Sequence, residues 1–277
     1  MLVRFGYEIT VHCWEPTAMV TLLQIREGRE ADIRWAQAFT TDPLIDVRTG
    51  RDLFGNACCR FVAPPCNLTL RSDAIMEVSD HPEVHALEAE QHAVDDLPDA
   101  CLGYLLGSRY CETDRLSQLA WDLFGHIPPG WARVQAISDF AHARIAFDYQ
   151  EARSTRTAHD AYHERKGVCR DFAHLAIALC RCMNIPARYV NGYLGDIEVP
   201  LRLPMDFSAW LEVYLGGEWR PVDPRNNMPR IGRIPIAHGR DAADVAMITS
   251  FAPHALNHFH VWAEQVWAPD YALAVHA

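Results

Sequence analysis

Through the first 78 residues, hydrophobic positions come in short runs that alternate with polar ones or are rich in β-branched side chains. The runs are Tyr7–Cys13, Met19–Ile25, Arg34–Phe39, Cys59–Val62, Leu68–Leu70 and Ala74–Val78. Asp42-Pro43, Thr49-Gly50, Gly55-Asn56 and Pro64-Pro65 separate them with turn chemistry. Many short strands at this spacing predict a small β-sandwich. Around residue 80 the period changes. Residues 80–99 are acidic and tolerate helix, and apolar positions recur at helical spacing over 114–127 and 129–145. Trp131, Val134, Ile137, Phe140, Ala141 and Ile145 share one stripe, and Pro128-Pro129 separates the two helices. Residues 146–163 lack periodicity and read as a loop. The strongest helix follows: from Cys169 to Met183, positions 172, 173, 175, 176, 179, 180 and 183 are apolar, a broad stripe facing a core. Asn184-Ile185-Pro186 ends it. Arg188–Leu194 reads as a strand, and Ala209–Leu215 with Glu218–Asp223 as a hairpin turning at Gly216-Gly217. A loop to about Gly239, a short helix at Asp241–Met247 and a last strand at His258–Val266 complete the pattern. It divides the molecule into a β-rich region, 1–78, and a helical lead-in with an α+β core, 79–277.

Composition narrows the function classes. The 277 residues are 49% hydrophobic and 22% charged, as in an ordinary globular protein. The net charge of −11 disfavours nucleic acid and anionic membrane as partners, because phosphate affinity needs a basic surface. Of 25 basic residues only Lys166 is a lysine. Nine cysteines are an odd number, and none form a CxxC pair. The first residues lack the pattern of a signal peptide, and no apolar run is long enough to span a bilayer. The expectation is a reduced, cytoplasmic protein whose cysteines are mostly small core residues. Phosphate-binding glycine loops are absent, and the Cys and His spacings give no metal site, so no cofactor or metal is expected. A homo-oligomer is possible.

One cysteine stands apart. Cys169 opens the strongest helix directly after Gly167-Val168, where free N–H groups and the positive dipole end favour a thiolate. In the hairpin, pairing Leu215 with Glu218 sets Trp210 opposite Asp223 and Ser208 opposite Arg225. Residues 208 and 223 then project from one side of the sheet, within diagonal reach.

The run Gly167-Val168-Cys169-Arg170-Asp171-Phe172-Ala173-His174-Leu175 resembles the nucleophile helix of the transglutaminase-like superfamily, whose core is similar to that of papain-type cysteine peptidases. Residues 184–193 resemble the strand after that helix. Ser208-Ala209-Trp210-Leu211-Glu212-Val213-Tyr214 resembles the segment that normally begins with the catalytic histidine. Trp219-Arg220-Pro221-Val222-Asp223-Pro224 resembles the segment carrying the aspartate. Residues 1–78 resemble the β-rich region before this core in bacterial members. The resemblance implies an α+β fold: an N-terminal β-sandwich, then a papain/transglutaminase-like core in which the nucleophile helix packs on an antiparallel sheet. It implies Cys169 as nucleophile, Asp223 as orienting acid, and a peptide or protein as substrate.

The departure is Ser208 at the histidine position, since serine is no general base near neutral pH. His174 is five residues from Cys169, about 140° around the helix, and reads as a packing or hydrogen-bonded residue. His159 and His163 can fold back over Cys169 from the preceding segment. His254, His258 and His260 can reach the cleft only from a distance. Asp171 reads as an acid compatible with the helix dipole, and Trp210 as core or cleft wall, with a binding role for it and His163 as the sharper alternative. Two functions follow. One is a thiol enzyme performing amide or peptide hydrolysis, or acyl transfer, through a Cys169 thioester. It is the first reading, because Cys169 and Asp223 are both present. The other is a catalytically impaired relative that uses the same cleft for protein or peptide binding.

Overall fold

The computed structural model describes residues 1–26, 28–201 and 204–267, with Gln37 and Ala38 described in backbone only. The tail of the expected second region, 268–277, lies outside them. The β-rich half opens with β1 (Leu2–Cys13), β2 (Thr17–Thr21), β3 (Ile33–Asp42), β4 (Arg48–Arg51), β5 (Ala57–Ala63) and β6 (Asn67–Glu77). The helical part holds α1 (Asp99–Leu102), α2 (Thr113–Phe124), α3 (Trp131–Arg144), a short strand β7 (Ala146–Phe147), α4 (Ala158–Glu164), a second short strand β8 (Lys166–Gly167) and α5 (Cys169–Cys182). Then come β9 (Ala187–Leu194), β10 (Ser208–Leu215), β11 (Glu218–Val222), β12 (Arg233–Gly239), β13 (Ile248–Ser250) and β14 (His254–Val266).

The strands form two four-stranded sheets in the N-terminal half, in the orders β14-β1-β6-β3 and β13-β2-β5-β4, and a third in the core, β11-β10-β9-β12. The first two face each other; Phe39 of β3 lies 6.4 Å from Phe61 of β5, ring to ring. The core sheet carries α5, which is buried all round from Asp171 to Cys182 because α2, α3 and α4 cover the sides away from the sheet. The expected α+β architecture holds.

Several elements differ from the periodicity. Leu68–Leu70 and Ala74–Val78 belong to one strand, β6. Its polar middle is tolerated because buried Asp73 pairs with Arg4 at 2.6 Å and accepts the Trp262 indole N–H at 3.1 Å. The expected loop over 146–163 contains α4, started by Thr157 and Asp160 bonding reciprocally to each other's backbone N–H. The expected loop before Gly239 contains β12; Pro235 is accommodated because β12 is an edge strand. The expected helix at Asp241–Met247 is a series of turns, in which Asp241 Oδ1 takes the Ala243 N–H at 2.9 Å. Finally, β13 and β14 add to the two N-terminal sheets, β14 along the whole of β1. The polypeptide therefore crosses the division at residue 78 a second time.

Candidate active site

Cys169 is the first residue of α5, and local chemistry fixes it there. A Cβ on Gly167 would lie 2.4 Å from Asp171 Oδ2, so glycine alone lets the Asp171 side chain fold back over the helix start. Asp171 Oδ2 accepts the Val168 N–H at 2.8 Å and Arg156 Nη1 at 3.1 Å. Arg156 is 2% exposed and Asp171 1%. Arg156 also donates to the Glu164 carboxylate at 2.9 Å and the Glu151 carbonyl at 2.6 Å. One buried guanidinium thus ties the segment 151–164 to the start of the nucleophile helix. Asp171 is therefore a buried anchor as well as an N-terminal acid. Desolvation pushes its carboxyl above the usual range, opposed by Val168 N–H and Arg156.

The hairpin keeps the expected register, with Leu215 opposite Glu218 and Leu211 opposite Val222. The ladder ends at Leu211 and Val222 and the chain turns at residues 224–226, so the expected pairing of Ser208 with Arg225 does not form, although both stay close. The two line one narrow cavity of about 30 Å³ with Cys169, Tyr149, Asp206 and Phe207. Ser208 is buried and its hydroxyl has no partner among the described residues.

Asp223 does not line this cavity. Its Oδ2 takes both terminal nitrogens of Arg233 at 3.3 Å and Asn226 Nδ2 at 2.8 Å, and its Oδ1 takes the Asn226 N–H at 3.1 Å. Arg233 is further paired with Glu83 at 2.6 Å and lies 4.5 Å over the Trp210 ring. Trp210 is fully buried and does not line the Cys169 cavity. Gly192 on β9 makes room for it, since a Cβ there would stand 2.7 Å from the indole.

Among the described residues that line the Cys169 cavity, none is a histidine. His163 does not fold over Cys169: it lies on α4, its Nε2 3.1 Å from that of His159. His174 is buried, stacked on Tyr110 with ring centroids 5.3 Å apart, and accepts the Ala242 N–H at 3.1 Å. On β14, His254 meets Ser250 at 2.7 Å, His258 faces Glu8 at 3.6 Å, and His260 stands beside Trp262. Lys166 Nζ is paired with Glu151 at 2.9 Å.

These surroundings act in both directions on the expected thiolate. Desolvation pushes its thiol up to about 11; Arg225 opposes this, Asp206 and Asp223 add to it, and the Ala209 N–H directed at sulfur lowers it. A helix N-terminus contributes about 0.3–1 kcal/mol in favour of an anion. That is too little to offset burial without an imidazolium beside the sulfur. Two contributors escaped the sequence reading. The expected register brought Arg225 near Ser208, although the ladder stops short of it. Arg156 carried no signal, lying in a stretch without periodicity.

All nine cysteines are unpaired. Among the described residues there is no cluster of three or more His, Cys, Asp or Glu placed to hold a metal, and no helix long and apolar enough to cross a membrane.

A cysteine at the start of a buried helix, packed on an antiparallel sheet with Ser208 on β10 and Asp223 just past β11, gives a papain-like α+β arrangement. The family model described as Transglutaminase-like superfamily matches residues 118–224. A crystal structure described as that of a "Putative Cysteine Protease" from Cytophaga hutchinsonii is similar throughout. Its TM-score is 0.83 at 30% identity, covering 95% of this chain and 90% of that one. The uncharacterized protein Rv2569c of Mycobacterium tuberculosis is 32% identical over 237 residues, 76% of this chain and 74% of that protein. The match to the uncharacterized protein ML0607 of Mycobacterium leprae is shorter, 42% identical over 91 residues and about a third (32%) of that protein's length. The chain belongs to the transglutaminase-like superfamily.

Proposed function

We propose that this protein is a catalytically impaired member of the superfamily, and that its Cys169 cleft binds a peptide or protein segment. The observation that carries this is the Cys169 thiol, pushed up to about 11 in a cavity lined by no imidazole among the described residues. A thiol raised in this way is largely protonated at pH 7. Acyl transfer through a thioester needs a group that takes the thiol proton and later supplies one to the leaving amine. The Ser208 hydroxyl does neither, and Asp223 is already engaged by Arg233 and Asn226. Loss of one member of such a triad removes several orders of magnitude in rate. Cysteine-dependent hydrolysis or acyl transfer therefore requires a base from outside this cavity.

Peptide binding is supported by the surface around the cysteine. A groove of about 580 Å³ runs between β14 and residues 196–201 with Met205, lined by Arg4, Arg71, Glu198 and Trp262, and it shares Asp196 and Met205 with the Cys169 cavity.

The test is acylation by p-nitrophenyl acetate at pH 7.5. No burst is expected, and the progress curve should superimpose on that of Cys169→Ser. A stoichiometric burst that Cys169→Ser abolishes would overturn the proposal.

A further inference from the structure

We infer that Arg225 makes the Cys169 cavity a carboxylate-binding site, so that the segment it takes presents an anionic group beside the thiol. This rests on the binding reading above. Arg225 lines the cavity with Cys169 and Ser208. Its guanidinium lies over the Phe147 ring, 4.2 Å from the centroid, which holds the plane of the fork. Its Nε is buried without a partner, and among the described residues Arg225 makes no ion pair or hydrogen bond.

The buried arginines elsewhere in the molecule are engaged. Arg156 holds Asp171, Arg233 holds Glu83 and Asp223, Arg188 holds Glu212, and Arg181 holds the Ala187 and Leu106 carbonyls. Half-buried Arg225 differs from them, and it faces a cavity. Asp206 on the rim is within electrostatic reach, but its Oδ1 is taken by the Phe207 N–H at 2.7 Å. A partly desolvated guanidinium matches a carboxylate through two parallel N–H···O bonds. A neutral amide offers one acceptor oxygen where a carboxylate offers two. A dianion would face Asp206 as well, so a singly charged carboxylate fits best. It can come from the C-terminal carboxylate of a peptide or from an Asp or Glu side chain.

Iodoacetate and iodoacetamide test this on the full-length protein at pH 9, with Cys169 modification followed by peptide mass. In both, sulfur displaces iodide and forms an S–C bond; the reagents differ in carboxylate against amide. Their rate ratio cancels the thiolate fraction, so it does not depend on how far Cys169 is activated. The ratio at Cys169 should exceed that of N-acetylcysteine amide by roughly tenfold, the effect of one charge-assisted contact. It should fall to the reference in Arg225→Gln. A wild-type ratio equal to the reference, or an excess that survives in Arg225→Gln, overturns the assignment. Protection against iodoacetamide then identifies the source. Acetyl-tri-alanine acid protecting alone assigns a C-terminal carboxylate, and acetyl-Ala-Glu-Ala amide protecting assigns an acidic side chain. Equal protection by uncharged acetyl-tri-alanine amide, or none by either anionic peptide, overturns the proposal. An acyl burst with p-nitrophenyl acetate would sink the binding reading while leaving the ratio intact, so the two failures are distinguishable.

Discussion

Replacing Ser208 with histidine is expected to raise the alkylation rate of Cys169 at pH 7 by about a hundredfold. The thiol stands at about 11, and an adjacent imidazole typically brings a paired cysteine to about 7 or below. A fall to about 7 raises the thiolate fraction from about one in ten thousand to about one half. Intrinsic nucleophilicity declines with pKa, which takes back nearly two decades over four units. Ser208 lines the cavity with Cys169, and its hydroxyl has no partner among the described residues, so the substitution breaks no hydrogen bond there. Arg225 across the cavity opposes an imidazolium, and Asp223 stays with Arg233, so hydrolysis should recover far less than alkylation. The measurement is the second-order rate with iodoacetamide, wild type against Ser208→His. An unchanged rate would show that burial, and not the missing base, keeps the thiol protonated.

Arg156→Met is expected to destabilise the protein by about 3–5 kcal/mol, as removal of one partner of a buried ion pair does. The substitution leaves Asp171 buried at the start of α5 with only the Val168 N–H. Urea denaturation of the wild type, Arg156→Met, Asp171→Leu and the double variant measures it. The double variant should lose less than the sum of the singles, because neither leaves the other's charge unpaired. A loss below about 1 kcal/mol for Arg156→Met would mean that water reaches Asp171 and the anchor is not buried.

What was legible in the sequence was whatever local chemistry determines. The stripe from Phe172 to Met183 and the Gly216-Gly217 turn gave α5 and the hairpin register, and with them the meeting of Cys169 with Ser208. The Thr157–Asp160 capping pair was a readable sign of α4, hidden by the absence of an apolar stripe in so short a helix. Pro235 argued against β12 because a proline excludes an interior strand but not an edge. Partners distant in sequence were not legible. Nothing in the period of β14 says that it pairs with β1. The ion pairs of buried Asp73, Arg156 and Arg233 with Arg4, Asp171 and Asp223 are brought only by the fold. The same holds for the engagement of the Asp223 carboxylate by Arg233 and Asn226.

The central claim is that Cys169 is an unactivated thiol, and the pH dependence of its alkylation tests it most directly. A group raised to about 11 remains protonated across the neutral range and ionises only as pH rises through that value. The iodoacetamide rate at Cys169 should therefore climb about tenfold per pH unit from pH 6 to pH 10 without a plateau. A plateau reached at or below pH 8.5 would contradict the account and return Cys169 to the role of an activated nucleophile.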